Sequence, residues 1–370
     1  MGVKVQRFLD RVGGNVLANV FSLFKSTPVE KPQKILLVNL WGMGDAVLTL
    51  PLITEIRERF GVTSVDVLAT KRVWKIYKGQ PGIRDVLLLE DRNTFRRRKY
   101  YDLVIDTEQY LNSSALASWW LGKGVIGYDH GQRRKLYSHT VSYNDRQHMV
   151  HTYFDLLRVK FPDVQNPDEL LKVKYSKEDT KKVTSLLEDN GITKDDFIVG
   201  FCVSTAESCI ARRWPKEKFA ALADQLVAKY NAKIVIVGAP NERPLNQEVI
   251  DLMKHSNEAL NAGGKTSVEQ SLALIDSCNL FVSNDTGPMH IGAAQGVPTV
   301  GLFGPNTPVR YGPYGKKNKA VYKPVLSEPC INVHLGKVPD CEGHGHMKNI
   351  SVDDVMEEVG KILAVGSHPN

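Results

Sequence analysis

A chain of 370 residues has room for two domains at the usual one to two hundred residues each. With 42% apolar and 24% charged residues, its composition excludes a disordered, collagen-like or disulfide-scaffolded chain, and no apolar run reaches the roughly 18 residues of a membrane span. The net charge of +7 is unevenly spread: residues 1–175 carry 27 Lys and Arg against 18 Asp and Glu, a balance of +9, whereas residues 176–370 carry 21 against 23, a balance of −2.

Residues 1–33 form a distinct N-terminal extension. Val5, Phe8, Leu9, Val12, Val16, Val20, Phe21 and Phe24 recur at three- and four-residue intervals among Lys4, Arg7, Arg11 and Lys25, the pattern of a basic amphipathic helix. Gly13 and Gly14 weaken that pattern, and Pro28 and Pro32 bracket a linker. Such a helix docks either on a protein surface or in an anionic membrane interface. From residue 34 short apolar runs rich in branched residues take over. KILLVNL (34–40), SVDVLA (64–69), DVLLLE (85–90) and YDLVIDT (101–107) predict strands, with helices over 45–60, 109–121 and 146–161. Continuously apolar strands alternating with helices predict a doubly wound parallel sheet covered on both faces, and the polar segment 162–177 closes this domain near residue 175.

The same grammar repeats over 176–350. FIVGFCV (197–203), KIVIVGA (233–239), NLFVS (279–283) and TVGLFG (299–304) predict strands, and 216–230, 241–254 and 267–277 predict helices; a final helix over 352–364 lies in the C-terminal segment 351–370. The expected fold is therefore α/β with two Rossmann-like domains facing a central cleft, where ligands meet the carboxyl ends of the strands.

Three segments carry candidate chemistry. The turn Trp41-Gly42-Met43-Gly44-Asp45 follows the first strand; Gly42 and Gly44 allow close backbone approach to a phosphate, and Asp45 is either a helix cap or a general base. The turn lacks the third glycine of a dinucleotide fingerprint, which argues against a nicotinamide-dependent oxidoreductase, while retention of Asp45 argues against an inactive binding protein. Ser283-Asn284-Asp285-Thr286-Gly287-Pro288-Met289-His290 ends one strand and opens a helix, placing Asp285, Thr286, Gly287 and His290 where a diphosphate would meet the helix N-terminus. Phe303-Gly304-Pro305-Asn306-Thr307-Pro308 forms a neighbouring wall. Ser204 and Thr205, followed by Arg212-Arg213-Trp214-Pro215, lie beyond the first strand of the second domain; a guanidinium there can neutralise charge on a departing diphosphate. Glu242 stands where a carboxylate can hold a ribose or simply favour a helix start.

Basic runs at Arg96, Arg97 and Arg98 and at Arg133, Arg134 and Lys135 are solvated surface or sites for an anionic acceptor. Cys330, His334, Cys341, His344 and His346 match no common zinc spacing, so neither a metal nor a cofactor is expected. Five cysteines, few and odd in number, with no cleavable leader pattern at the start, point to reduced thiols in a cytosol.

NLWGMGDAVLTLPLITEIRERF, ARRWPKEKFAALADQL and SNDTGPMHIGAAQGVPTVGLFGPNTPVRYGP together resemble glycosyltransferase family 9, the ADP-heptose:lipopolysaccharide heptosyltransferases, over about residues 34–363. The resemblance implies a GT-B fold and inverting transfer without an obligatory metal. It further implies a nucleotide-sugar donor, ADP-heptose, held by the second domain, and an anionic lipid A or core-saccharide acceptor held by the first, at the cytoplasmic membrane face. It makes Asp45 the base, and Asp285, Thr286, Gly287 and His290 the donor motif, with Ser204, Thr205 and Glu242 near the nucleotide. Another nucleotide sugar or glycan acceptor on the same fold is the alternative. Two departures stand out: Arg212 occupies a position where the family commonly has Lys, and the family's C-terminal cysteine-rich segment is only partly present.

Overall fold

The computed structural model describes residues 3–24, 26–325, 329–332 and 345–366. The chain divides into two compact units, Met1–Pro167 and Asp168–Asn370, so the division falls inside the Pro-containing segment that sequence places at a domain boundary, a few residues before 175.

In the N-terminal unit, β1 (Ile35–Val38), β2 (Val65–Ala69), β3 (Ile83–Leu88), β4 (Tyr101–Asp106), β5 (Gly122–Tyr128) and β6 (His139–Val141) form one sheet in the order β3-β2-β1-β4-β5-β6. Every pairing is parallel. β1 is buried throughout, as the unbroken ILLV run requires of a strand covered on both faces. Helices α2 (Met43–Phe60), α3 (Trp74–Tyr77), α4 (Asn112–Leu121) and α5 (Met149–Arg158) make the crossovers and close the unit. The strands β5 and β6 go beyond the four that sequence marks. β5 reads GKGVIGY, and glycine dilutes a strand signal; packing nevertheless requires it, because a Cβ at Gly122 would stand 2.4 Å from a Val104 methyl and one at Gly127 2.5 Å from the Tyr137 ring.

The N-terminal extension forms α1 (Val3–Phe21) and docks on this unit by an unexpected side. Gly14 and Ala18 are buried against it, and Phe21 stacks on Trp119 with ring centroids 4.7 Å apart. The Asp10 carboxylate accepts from the Asn112 and Ser113 amides, capping α4 from outside its own sequence. Val12, Val16 and Val20, from the apolar stripe that defines the helix in sequence, remain exposed.

The C-terminal unit begins with α6 (Lys177–Glu188), which opens on a Ser176–Asp179 capping box. Its sheet runs β12-β11-β10-β7-β8-β9, again all parallel. The strands are β7 (Ile198–Cys202), β8 (Lys233–Ile236), β9 (Ala259–Asn261), β10 (Leu280–Asn284), β11 (Thr299–Phe303) and β12 (Lys319–Tyr322). Between them run α7 (Lys216–Tyr230), α8 (Arg243–Leu252), α9 (Val268–Asp276), α10 (Gly287–Ala294) and α11 (Pro308–Tyr311), and α12 (Val352–Gly366) ends the unit. Val199, Phe201, Trp214, Phe219, Leu280 and Val355 belong to one buried cluster under this sheet. The edge strands β9 and β12 are short and mixed in polarity, which is why no strand is predicted for them.

The two adjacent glycines of α1 give a prediction. A Cβ at Gly14 would lie 2.4 Å from the Asn112 Cβ, whereas one at Gly13 meets nothing within 4 Å. Gly14→Val therefore lowers stability by about 1–3 kcal/mol through overpacking, and Gly13→Ala raises it by up to about 1 kcal/mol through helix propensity. Thermal melts of the two variants check both signs; equal effects would mean that α1 is not docked as described.

Candidate active site

Each sheet reverses its strand order once, between β1 and β4 in the N-terminal unit and between β7 and β10 in the C-terminal unit. At such a switch point the crossovers leave in opposite directions, so the loops at the carboxyl ends part and expose a crevice. Gly42, Gly44 and Asp45 follow β1, Ser204, Thr205 and Arg212 follow β7, and Asp285, Thr286, Gly287 and His290 follow β10, whereas Glu242 follows β8 and the two basic runs follow β3 and β5.

In the N-terminal unit the turn after β1 leads into α2, whose N-cap position is Gly42. Asp45 is therefore the third helical residue and not the cap. Its carboxylate favours the positive helix end, and its Oδ1 accepts from the Tyr153 hydroxyl on α5 at 2.8 Å. A Cβ at Gly42 would stand 2.7 Å from the Asp45 carboxylate, so a side chain there would have to displace it. Opposite, the loop after β4 brings in Glu108, which sequence does not single out because only its partners give it meaning. Its Oε1 accepts from the Leu40 amide at 2.5 Å, tying the β4 loop to the β1 turn. Burial pushes the Glu108 carboxyl up to about 8; the Leu40 N–H pulls it down, and the charges of Asp106 and Asp45 add to the rise. Glu108 thus carries its proton at neutral pH.

The basic runs separate into two kinds of residue. Arg133 is fully buried: its Nη2 donates to Asp106 Oδ2 at 2.8 Å and its Nε to the Tyr137 hydroxyl at 2.8 Å. Arg97 donates to Asp85 and to Tyr101. These two guanidiniums neutralise carboxylates of their own unit, so Arg133 is neither solvated surface nor open to an acceptor, and Arg97 is only partly exposed. Arg96, Arg98, Arg134 and Lys135 remain exposed.

In the C-terminal unit the stretch from Ser204 to Arg213 and the end of β10 come together. Asn284 fastens them: its side-chain amide donates to Val203 O at 2.8 Å and its Oδ1 accepts from the Trp214 amide at 3.0 Å. Trp214 itself is buried, with its indole N–H on Ile350 O and Pro215 capping α7. This anchoring carries Arg212 to Asp285, with Nη1 3.2 Å from Oδ2. The other neighbour of the Asp285 carboxylate is Asn306, whose amide donates to Oδ2 at 2.8 Å while its own oxygen accepts from Arg310 at 3.2 Å. Arg212, Asp285, Asn306 and Arg310 thus form one polar chain over the carboxyl ends of β10 and β11.

Thr286 is the N-cap of α10 but makes no side-chain cap bond; its hydroxyl lies 3.5 Å from the Cys202 thiol. The first turn, with Pro288 just inside it, therefore presents backbone N–H groups uncapped by side chain. His290 is buried on the same helix, and burial, with the Arg212 charge adding to it, pulls its imidazole down to about 4. It is neutral at physiological pH, and its Nδ1 has no partner. Ser204 and Thr205 are buried, but the Thr205 hydroxyl donates to Cys209 O at 3.0 Å and accepts from Arg213 at 3.1 Å, so Thr205 shapes the loop. Glu242 folds back onto the Ala239 amide at 2.7 Å, fixing the turn after β8 with one carboxylate oxygen.

Among the described residues no group of three or more His, Cys, Asp or Glu is placed to hold a metal. Cys330 Sγ lies 3.1 Å from His346 Nε2; His334, Cys341 and His344 lie outside the described residues. No helix among the described residues is long and apolar enough to cross a membrane.

Glu108 yields a prediction whose sign follows from linkage. Its folded value of about 8 lies above its ordinary 4.5, so the stability it contributes is complete below the unfolded value and is lost as pH rises toward 8. Glu108→Gln keeps the acceptor for the Leu40 amide without an ionisable group. Melting temperatures of variant and wild type measured between pH 5 and about 8 should diverge in the variant's favour; parallel curves would show that Glu108 is not a buried protonated acid.

Comparison with known proteins bears on the same residues. Residues 95–334 match glycosyltransferase family 9 (heptosyltransferase). Lipooligosaccharide heptosyltransferase 2 of Haemophilus ducreyi is 27% identical over 362 residues, covering 90% of this chain and 100% of that protein. Among solved structures, the glycosyl transferase family 9 protein of Veillonella parvula superposes with a TM-score of 0.78 at 21% identity, covering 92% of this chain and 100% of that one. The E. coli ADP-heptose lps heptosyltransferase II gives a TM-score of 0.73 at 22% identity, covering 91% and 100%. The last two likenesses establish a shared two-domain GT-B fold.

Proposed function

The chain belongs to glycosyltransferase family 9, and from that membership we propose that it transfers heptose from ADP-heptose to the inner core of lipopolysaccharide, with inversion. What supports this reading most is the arrangement at the β7/β10 switch point. A helix start without a side-chain cap, a guanidinium positioned by Asp285 and a neutral buried histidine stand together there, and that is the chemistry a nucleoside diphosphate requires.

In the proposed reaction the acceptor hydroxyl gives its proton to Asp45 as its oxygen attacks the anomeric carbon. The bond from that carbon to the diphosphate breaks, and its electron pair leaves with ADP. Arg212 and the N–H groups at Thr286 and Gly287 stabilise the charge that develops on the leaving diphosphate. A planar guanidinium can take two phosphate oxygens where an ammonium takes one point of contact. Ser204 lines the nucleotide side, and Glu242 is placed for a ribose hydroxyl through the carboxylate oxygen turned away from Ala239. Gly42 and Gly44 keep the Asp45 turn open to the acceptor. No metal and no cofactor takes part. Arg96, Arg98, Arg134 and Lys135 face phosphates or carboxylates of the acceptor saccharide, with the protein working in the cytoplasm at the inner face of the inner membrane.

Mass spectrometry of products from ADP-heptose, GDP-mannose and UDP-sugars with a panel of truncated lipopolysaccharides tests the donor and the acceptor together. One added heptose, with ADP-heptose alone as donor, is expected; transfer only from another nucleotide sugar would overturn the reading. For Asp45→Asn, removal of the basic lone pair lowers turnover by about 10² to 10⁴ and leaves ADP-heptose affinity nearly unchanged, since the side chain can still pair with Tyr153. Retention of half of wild-type turnover would exclude Asp45 as the base.

A further inference from the structure

Among its described side chains, helix α1 is apolar on two opposite sides, and the fold buries one of them. Gly14, Ala18 and Phe21 run along the docked side. Val12, Val16 and Val20, at four-residue spacing on the opposite side, are 50%, 59% and 52% exposed, and Leu23 and Phe24 just beyond the helix are 81% and 68% exposed. The stripe from Val12 to Val20 extends for about 12 Å at 1.5 Å per residue. The docked side holds the helix flat against its unit, so the outer stripe is presented on a rigid support.

Cations border this stripe. Lys135 Nζ donates to Asn19 Oδ1 on α1 itself at 2.8 Å. At the C-terminal end of the helix, Trp119 donates its indole N–H to Phe24 O. Near that end the exposed Arg98 sits 4.9 Å above the Trp120 ring. An exposed apolar line edged by Lys and Arg has the chemistry of an interface that enters lipid headgroups.

We propose that the outer face of α1, with Lys135 and Arg98 along its rim, is a docking surface for an anionic lipid bilayer. A second copy of the chain fits this surface less well, because a two-fold contact through it would bring the same cations face to face. Anionic headgroups neutralise the rim while the valines and Phe24 enter the boundary with the acyl chains. This inference depends on the proposed function only for why the chain should sit on a membrane, and not for the surface itself.

The test uses the full chain with phosphatidylcholine vesicles and with mixed phosphatidylcholine–phosphatidylglycerol vesicles in co-sedimentation. The wild type should bind the anionic vesicles in a salt-sensitive way and the neutral ones weakly. A triple variant, Val16→Asp, Val20→Asp and Phe24→Asp, should lose about tenfold or more of that affinity, and the corresponding Gln triple variant, which adds no charge, should lose most of it as well. Both should keep the wild-type melting temperature and full turnover on a soluble, lipid-free acceptor, so that failure of the transferase reading shows up separately in turnover. Undiminished vesicle binding by the Gln variant would overturn the proposal. So would a wild-type dimer in sedimentation equilibrium that either variant converts to monomer with vesicle binding unchanged.

Discussion

A parallel sheet must return every strand through a crossover, and where the crossovers change direction the carboxyl ends of two central strands are left uncovered. That constraint orders the candidate residues in both units. The Asp45 turn leaves β1 beside the buried Glu108 loop after β4; the Arg212 stretch leaves β7 beside the start of α10 after β10. The surrounding sequence then works to hold these loops still. Asn284 links the two central strands of one sheet, and Glu108 performs the same service in the other through the Leu40 amide.

The electrostatics of the two crevices differ in a way that suits different ligands. Over the C-terminal sheet, Asp285 and Asn306 orient Arg212 and Arg310, while the imidazole of His290 stays neutral and so leaves the cationic character to the guanidinium and the helix start. Around the N-terminal crevice, Arg133 is committed to Asp106, and Glu108 holds its proton. Asp45 Oδ1 accepts from the Tyr153 hydroxyl beside them.

Much of this was legible in sequence. Unbroken apolar strands followed by helices gave the α/β class, and the helix over 216–230 is met residue for residue. What escaped had physical reasons. β5 is strewn with glycines that packing requires, and β9 and β12 are edge strands too short to show a pattern. The docking side of α1 was invisible because it is built on Gly14, a residue that weakens a helix in sequence and enables close approach in space. At the site, Asp285 and His290 could be read from a strand-turn-helix motif. Glu108, Tyr153 and Asn284 could not, since each acts through a partner 68 to 108 residues away. Burial also divided the basic runs, a distinction that charge counting cannot make.

The proposed reaction requires the β7/β10 switch point to hold the nucleotide diphosphate. Hydrogen–deuterium exchange on the full chain with and without ADP addresses it directly, because backbone amides of the α10 start are among the proposed ligands. Slowed exchange at residues 284–290 and 204–213 is the expected result. Protection confined to 39–45 and 107–111, at the switch point of the other sheet, would contradict it.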